Sequence, residues 1–212
     1  MRNVNEYNTA EHALRYLAKA DTIPHRAAGE AALLEFIPSS ARRILDLGAG
    51  DGRLLALLRL KHPQVQSVAV DLSPIMLEAA RVRFAGDPLA QVIEHDLAKP
   101  LPNLGSFDVV ISSFAIHHCS HARKHALYAE IFALLEPGGV FYNLEHVASA
   151  TPRLHQQFLA ALGITAEQED RSNQLLAVEP QLTWLREIGF DDVDCHWKWR
   201  ELALLGGVKP GL

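Results

Sequence analysis

Residues 44–52 read as a buried strand that runs into a glycine-rich turn, with Gly48 and Gly50 at its centre. Glycines at such a turn let the backbone approach a ligand closely, and the helix that follows presents unpaired N–H groups to it. Asp46 lies at the strand end, and Asp71 ends the next predicted strand, 21 residues past Gly50. Doubly wound folds place an acid at this second position on ribose hydroxyls. The pattern therefore predicts a nucleoside-binding site.

Two details separate this site from a dinucleotide site. The dinucleotide pattern requires a third glycine three positions after the second, where this chain has Arg53. A carboxylate at Asp46 would also face a pyrophosphate, which it repels. A cationic ligand reverses the sign of that interaction, because a carboxylate attracts an ammonium or sulfonium group. Together with Asp71 and with Asp96, which ends the third predicted strand, Asp46 favours a positively charged nucleoside.

The elements that must position these residues alternate from residue 41 onward between short apolar strands and helical patterns. Such alternation predicts a mostly parallel sheet with helices on both faces. The last two strands have no helix between them and must pair antiparallel, because a parallel pair needs a long crossover. Ser73, followed by Pro74, and Ser120 are the predicted N-caps of two of the helices. The predicted strands cover residues 43–47, 66–70, 91–95, 107–112, 140–144, 193–199 and 202–208.

Two segments stand outside this alternation. Residues 1–40 contain helical segments before the first strand, and residues 151–176 form a polar, helix-prone insertion. We expect one domain over residues 1–212, in which the first segment is a lid and the insertion shapes the substrate pocket. Insertions of this kind are where one fold acquires different substrates.

Composition limits the class of protein. The 212 residues are 49% hydrophobic and 21% charged, which is the mix of a globular protein. No run approaches the roughly 18 apolar residues of a membrane span, and the first residues lack the apolar stretch of a secretory signal. Two cysteines form no disulfide framework, so a cytoplasmic location is expected. A net charge of −5 disfavours nucleic acid as a partner and leaves the oligomeric state open, with a homodimer as one option.

The motifs resemble those of the class I S-adenosylmethionine-dependent methyltransferases. The resemblance covers residues 41–147 by motif and reaches the last strand pair by order of elements. It implies a Rossmann-like, seven-stranded, mostly parallel sheet with an antiparallel last strand. It also implies S-adenosyl-L-methionine as cofactor and S-adenosyl-L-homocysteine as product. The matching stretches are residues 46–52, 70–73, 95–97, 107–112 with 115–118, and the turn at 135–139.

The resemblance also assigns roles to individual residues. In this family the first-motif glycines pass under the methionine part, which gives that role to Gly48 and Gly50. The second-motif acid, Asp71, would hold the ribose, and Asp96 with the Leu97 backbone would meet the adenine amino group. The cofactor-binding residues expected on this basis are Asp46, Gly48, Ala49, Gly50, Asp71, Leu72, Met76, Asp96, Leu97 and Ser112.

Four histidines, His117, His118, His121 and His125, fall within nine residues. His117, His121 and His125 could share a helix face and bind a metal, but Ser120 as N-cap leaves His117 and His118 in the preceding loop, so no metal is expected. His117 and His118 follow the fourth strand at the edge where open α/β sheets bind ligands. One of them is predicted to face the substrate, and to act as a general base if the acceptor must lose a proton.

The predicted lid carries Tyr7, Tyr16 and Arg26 as candidate substrate contacts, because aromatic and basic groups suit closure over a reactive methyl donor. The function expected from the sequence is methyl transfer to a small-molecule acceptor. Two alternatives stay open. The lid and the strand at residues 197–199 resemble, more loosely, carboxy-S-adenosylmethionine synthase, which implies a role in tRNA modification. The other alternative is a non-catalytic protein that binds the cofactor.

Overall fold

The computed structural model describes residues 23–211 of the chain, so the predictions on Tyr7 and Tyr16 lie outside the described residues. The strands are β1 (Arg43–Leu47), β2 (Gln66–Asp71), β3 (Ala90–Glu94), β4 (Phe107–Ser113), β5 (Leu135–His146), β6 (Asp191–Trp199) and β7 (Leu202–Val208). Over residues 23–211 they form one seven-stranded sheet in the order β3-β2-β1-β4-β5-β7-β6. The first five strands pair in parallel. β7 lies between β5 and β6 and is antiparallel to both, which confirms the predicted fold class.

β5 differs from its predicted bounds. The sequence predicts a turn at Pro137-Gly138-Gly139 and a strand from residue 140, whereas the strand begins at Leu135, directly after the preceding helix. Leu135 pairs with Phe107 of β4, and the register then shifts before Val140 pairs with Val109. The glycines are therefore a bulge inside the strand, with Gly138 at φ +79.

Helices cover both faces of the sheet, as the alternation predicts. They are α1 (Arg26–Glu35), α2 (Arg53–Lys61), α3 (Pro74–Arg83), α4 (His121–Leu134), α5 (Pro152–Leu162) and α6 (Val178–Ile188). Leu33 of α1 and Leu55 and Leu58 of α2 are buried in one apolar cluster, while Leu127 of α4 and Leu182 of α6 are buried in a second. Among the helices of residues 23–211, none is long and apolar enough to cross a membrane.

The two predicted N-caps behave differently. Ser120 caps α4, since its Oγ accepts a hydrogen bond from the Arg123 backbone N–H at 3.2 Å. Ser73 occupies the N-cap position of α3, but its hydroxyl makes no capping bond. The backbone N–H of Ser73 donates instead to Asp71 Oδ1 at 2.8 Å. Asp71 therefore orders the start of α3.

The predicted insertion consists of α5, a 3₁₀ helix (Ala166–Gln168) and a tail over residues 169–176 that has neither helix nor strand. This tail lies against the 3₁₀ helix that follows β4, Ile116–His118. Gln174 N–H donates to the His117 carbonyl at 2.9 Å. Lys124 of α4, only 1% exposed, donates from Nζ to the carbonyls of His117, Cys119 and Gln174. A buried ammonium therefore fastens the insertion to the segment that carries the two histidines.

Candidate active site

A cavity of about 390 Å³ lies at the carboxyl ends of β1 to β4. Its volume falls within the range of small-molecule sites, about 300–1,000 Å³. Open α/β sheets bind their ligands at this edge. All of the predicted cofactor-binding residues except Ser112 line it: Asp46, Gly48, Ala49, Gly50, Asp71, Leu72, Met76, Asp96 and Leu97.

Ser112 does not line the cavity, contrary to the sequence prediction. It is fully buried, and its hydroxyl donates to the Leu47 carbonyl of the neighbouring strand at 2.7 Å. Successive side chains of a strand point to opposite faces, so the next residue, Ser113, lines the cavity instead. The prediction was off by one strand position.

Asp46 is a buried acid with an unusual environment. Its side chain is 1% exposed, and within residues 23–211 neither carboxylate oxygen has a hydrogen-bond partner. Burial raises the pKa of Asp46 to about 8, and the charges of Asp71, Glu30 and Asp51 act in the same direction. An unpartnered buried carboxyl is costly to a fold. A cationic ligand in the cavity would supply the missing partner and favour the ionised form.

Asp71 ties the glycine turn to α3. Its Oδ2 accepts the Gly50 N–H at 2.8 Å, and its Oδ1 accepts the Ser73 N–H at 2.8 Å. Burial raises the pKa of Asp71, while these backbone donors oppose that rise. Each carboxylate oxygen can accept a second hydrogen bond, so Asp71 can still bind ligand hydroxyls.

The glycines of the turn serve different purposes. Gly48 has φ +72, and a Cβ built there would lie 2.0 Å from the Cβ of Ala115, in the segment after β4. Gly50 has φ +57, and its nearest neighbour would be the Met76 sulfur at 4.0 Å. Gly48 is therefore required by close packing as well as by its backbone conformation, which the sequence alone does not show. Gly50 leaves room in the cavity.

The loop after β3 carries Asp96 and Leu97, and Arg123 of α4 holds that loop from outside. Arg123 Nε donates to the Leu97 carbonyl at 2.7 Å, and its Nη2 donates to the Lys99 carbonyl at 2.8 Å. Glu130 orients the guanidinium through a 2.7 Å hydrogen bond. Arg123 also lines the cavity, and no sequence motif singles it out.

The structure separates the two histidines. His118 lines the cavity, whereas His117 does not and directs its Nδ1 at Glu145 Oε1, 2.7 Å away. Burial lowers the pKa of both histidines, and each lies beside a further imidazole. His118 Nδ1 lies 2.9 Å from Ser172 Oγ, which donates to Asp170 Oδ1 at 2.7 Å. Ser172 and Gln174 of the insertion therefore line the cavity together with His118.

Arg26, the lid residue predicted to contact substrate, begins α1 and lines the cavity. Its Nε donates to Glu30 Oε1 at 2.9 Å, and Arg53 pairs with the same carboxylate. Arg53 lines the cavity as well, so Glu30 holds two guanidinium groups beside the glycine turn. A ligand carboxylate would find positive charge here.

Comparisons with known proteins agree with this geometry. Residues 44–139 match the family described as methyltransferase domain. The chain is 31% identical over 191 residues to a demethylmenaquinone methyltransferase from Clavibacter sepedonicus, covering 82% of this chain and 76% of that protein. It is also 35% identical over 125 residues to an uncharacterised methyltransferase of Mycobacterium tuberculosis. The matched residues make up 59% of this chain and 59% of that relative.

The fold is also shared with solved structures. Human N-acetylserotonin methyltransferase in complex with S-adenosylmethionine matches with a TM-score of 0.70 at 20% identity, covering 98% of this chain and 58% of that chain. The glycine turn, the acids at the carboxyl ends of β1 and β2 and after β3, and the matched relatives lead to one conclusion. The chain belongs to the class I S-adenosylmethionine-dependent methyltransferase family.

Proposed function

We propose that this protein transfers the methyl group of S-adenosyl-L-methionine to a small-molecule acceptor. The observation that carries the proposal is the Asp46 carboxyl, which is buried at the cavity wall without a hydrogen-bond partner in the described part of the chain. The α-ammonium of the cofactor would complete it. A neutral or anionic ligand would not compensate the free-energy cost of burying the Asp46 carboxyl without a partner.

The remaining lining residues fit the other parts of the cofactor. Asp71 has acceptor capacity left for the ribose hydroxyls, as the sequence prediction requires. Asp96 and the Leu97 backbone would meet the adenine amino group, and Leu72 and Met76 would pack on the ring. Ala49 and the two glycines would line the methionine part.

Methyl transfer from this cofactor does not require a covalent intermediate with the protein. The sulfonium of the cofactor supplies an activated methyl group. The protein aligns the acceptor with that methyl and excludes water, and such alignment lowers the barrier by removing entropic cost. Residues after β4, including Phe114, Cys119 and His118, line the half of the cavity that remains for the acceptor.

A small-molecule acceptor fits the site better than a macromolecule. The cavity is of small-molecule size, and the net charge of −5 disfavours a nucleic-acid substrate. The relative from Clavibacter sepedonicus is named for a small-molecule acceptor, demethylmenaquinone. We place the protein in the cytoplasm, which fits the free thiols of Cys119 and Cys195.

Calorimetric titration with S-adenosyl-L-methionine tests the cofactor half of the proposal. Asp71→Ala is expected to weaken binding by about 1–3 kcal/mol, because two ribose hydroxyls lose a charged acceptor. Asp191→Asn, which removes the same charge from an exposed position on β6, should bind like wild type. Equal affinity of wild type and Asp71→Ala would refute the ribose assignment.

A turnover assay tests the second part of the proposal, methyl transfer to a small-molecule acceptor. Incubation with S-adenosyl-L-methionine and a protein-free metabolite extract should yield S-adenosyl-L-homocysteine and a methylated small molecule by mass spectrometry. Binding without any turnover would favour a non-catalytic role. A carboxylated cofactor that co-purifies with the protein would favour the carboxy-S-adenosylmethionine alternative instead.

A further inference from the structure

Three side chains form a hydrogen-bonded series at the acceptor half of the cavity. His118 Nδ1 lies 2.9 Å from Ser172 Oγ. Ser172 Oγ donates to Asp170 Oδ1 at 2.7 Å, and the Ser172 backbone N–H donates to the same oxygen at 2.8 Å. His118 and Ser172 both line the cavity. The series therefore joins a cavity-lining imidazole to a carboxylate on the insertion.

The direction of these bonds fixes the tautomer of His118. A carboxylate only accepts hydrogen bonds, so the Ser172 hydroxyl proton points at Asp170. Ser172 Oγ then accepts from the Nδ1–H of His118. In a neutral imidazole with its proton on Nδ1, the lone pair is on Nε2.

The backbone around the series is held in place. Gln174 N–H donates to the His117 carbonyl at 2.9 Å, and Gln174 Nε2 donates to the His118 carbonyl at 3.2 Å. The buried ammonium of Lys124 binds three carbonyls of the same two segments. These hydrogen bonds hold the segment that carries Ser172 against the segment that carries His118. Ser172 is therefore placed firmly enough to orient the His118 ring.

The surroundings of His118 keep its ring neutral. The His117 ring packs on it with a centroid distance of 4.0 Å. Burial, with the charge of His117 acting in the same direction, lowers the pKa of His118 to about 3, although Asp170 and Glu145 act in the opposite direction. The Nε2 lone pair is therefore present throughout the neutral pH range.

We propose that His118 receives the proton of a hydroxyl acceptor, an alcohol, phenol or enol, and that Ser172 and Asp170 are positioning residues which hold the ring in the required tautomer. This inference rests on the proposed methyl transfer. It adds the class of acceptor and the role of the insertion.

A lone pair of the acceptor oxygen forms the bond to the methyl carbon, while the carbon–sulfur bond breaks and its electron pair goes to sulfur. The hydroxyl proton moves to Nε2 of His118, which becomes an imidazolium and returns the proton to water. In the transition state the oxygen gains positive charge and becomes far more acidic than a free hydroxyl. An imidazole of lowered pKa can therefore still take the proton.

The alternative acceptor, an amine, fits this half of the cavity less well. An aliphatic amine is an ammonium ion at neutral pH and would need a carboxylate facing it. The cavity-lining acids lie instead at the carboxyl ends of β1 and β2 or in the loops after β1 and β3: Asp46, Asp71, Asp51 and Asp96. The cavity lining on the His118 side includes Phe114, Cys119, Ser172 and Gln174, and none of the acids that line the cavity belongs to these segments.

The tautomer can be measured without knowing the acceptor. ¹⁵N spectra of histidine-labelled protein in complex with S-adenosyl-L-homocysteine should show His118 as the neutral Nδ1–H form from pH 6 to 8. Ser172→Ala should shift it toward the Nε2–H form, and Ser172→Thr should restore the wild-type signal. His125→Gln, at an exposed histidine of α4, should leave it unchanged. An imidazolium or an Nε2–H signal in wild type would overturn the proposal.

Kinetics with three probes test the acceptor class. With catechol, benzylamine and benzyl mercaptan, methylation should occur on catechol, and His118→Ala should lower kcat about 10²–10⁴-fold. Ser172→Ala should lower kcat at least about tenfold with little change in KM, because the wrong tautomer presents an N–H in place of a lone pair. Faster methylation of the amine or the thiol would overturn the proposal, as would a wild-type rate in His118→Ala. If no probe is methylated, the tautomer measurement decides.

Calorimetry with S-adenosyl-L-homocysteine distinguishes this inference from the proposed function. Wild-type protein that does not bind it contradicts the proposed function itself. If wild type and His118→Ala bind it equally while the tautomer or the probe result fails, the inference alone is overturned.

Discussion

Binding of the cofactor product is expected to release a proton from Asp46. With a pKa of about 8, Asp46 is about 90% protonated at pH 7 in the ligand-free protein. An ammonium group placed against the buried carboxyl favours its ionised form, and we expect it to lower the pKa of Asp46 well below 7, so that the carboxyl is ionised in the complex. Binding of S-adenosyl-L-homocysteine at pH 7 should therefore release about 0.9 proton per site.

Isothermal titration calorimetry in buffers of different ionisation enthalpy measures this number. The observed binding enthalpy plotted against the buffer ionisation enthalpy has a slope equal to the protons exchanged. 5′-Methylthioadenosine provides the matched ligand, because it keeps the adenosine and the thioether but lacks the amino acid part. It should release almost no proton from Asp46.

Asp46→Asn provides the matched protein, since it keeps the side-chain shape but cannot ionise. Its proton release with S-adenosyl-L-homocysteine should be close to zero, and its affinity for that ligand should fall. Equal release with both ligands in wild type would refute the placement of the ammonium at Asp46. So would a release by Asp46→Asn that matches wild type.

Three further predictions concern stability, each measured by urea unfolding. Because the pKa of Asp46 is raised in the folded, ligand-free protein, the carboxyl ionises more readily in the unfolded chain, and the free energy of unfolding falls as pH rises from about 4 to 8. Asp46→Asn removes this loss, so its free energy of unfolding at pH 7 should exceed that of wild type by at most about 4 kcal/mol, from the 3.2 pH units between 3.8 and 7 at about 1.36 kcal/mol each. Near pH 4 the two proteins should be equally stable. Equal pH profiles for the two proteins would contradict this. Gly48→Ala should destabilise the fold more than Gly50→Ala, since both have positive φ but only the first meets a neighbour at 2.0 Å. Lys124→Met should lower the free energy of unfolding by about 2–3 kcal/mol, because three carbonyls lose their charged donor. Lys61→Met, at an exposed position, should change it little. Equal unfolding curves for the two variants would refute the role of Lys124 in fastening the insertion.

The fold could be predicted from sequence because its signals are local. Parallel strands that are buried on both faces appear as short apolar runs, and the helices between them carry capping residues and glycine stops. β5 was the exception. Pro137-Gly138-Gly139 has the composition of a turn, but Leu135 pairs with Phe107 and extends the strand past the glycines. That contact joins residues far apart in sequence, so no local pattern reports it.

For the same reason, the sequence could place most of the predicted cofactor-binding residues around one cavity. Asp46 and Asp71 each end a strand, and parallel strands bring their carboxyl ends to one edge of the sheet. The error at Ser112 arises because side chains alternate along a strand, so a shift of one residue moves a side chain between the core and the cavity. The environment of Asp46 could not be predicted, because its burial depends on elements from all around the cavity.

The side of the cavity where we propose that the acceptor binds could not be predicted, because it is built by contacts between distant segments. Asp170 and Ser172 belong to an insertion, and Ser172 is 54 residues away from the histidine that it contacts. Nothing in the local sequence around either residue indicates this contact. The same separation has a functional consequence. In the described part of the chain, the hydrogen bonds of Ser172 and Gln174 that reach the cavity go to His118 and Lys124, so we expect these positions to vary with little effect on the glycine turn. Relatives with the same glycine turn and acids can therefore differ in their acceptors, and the insertion is where this chain's specificity should be sought.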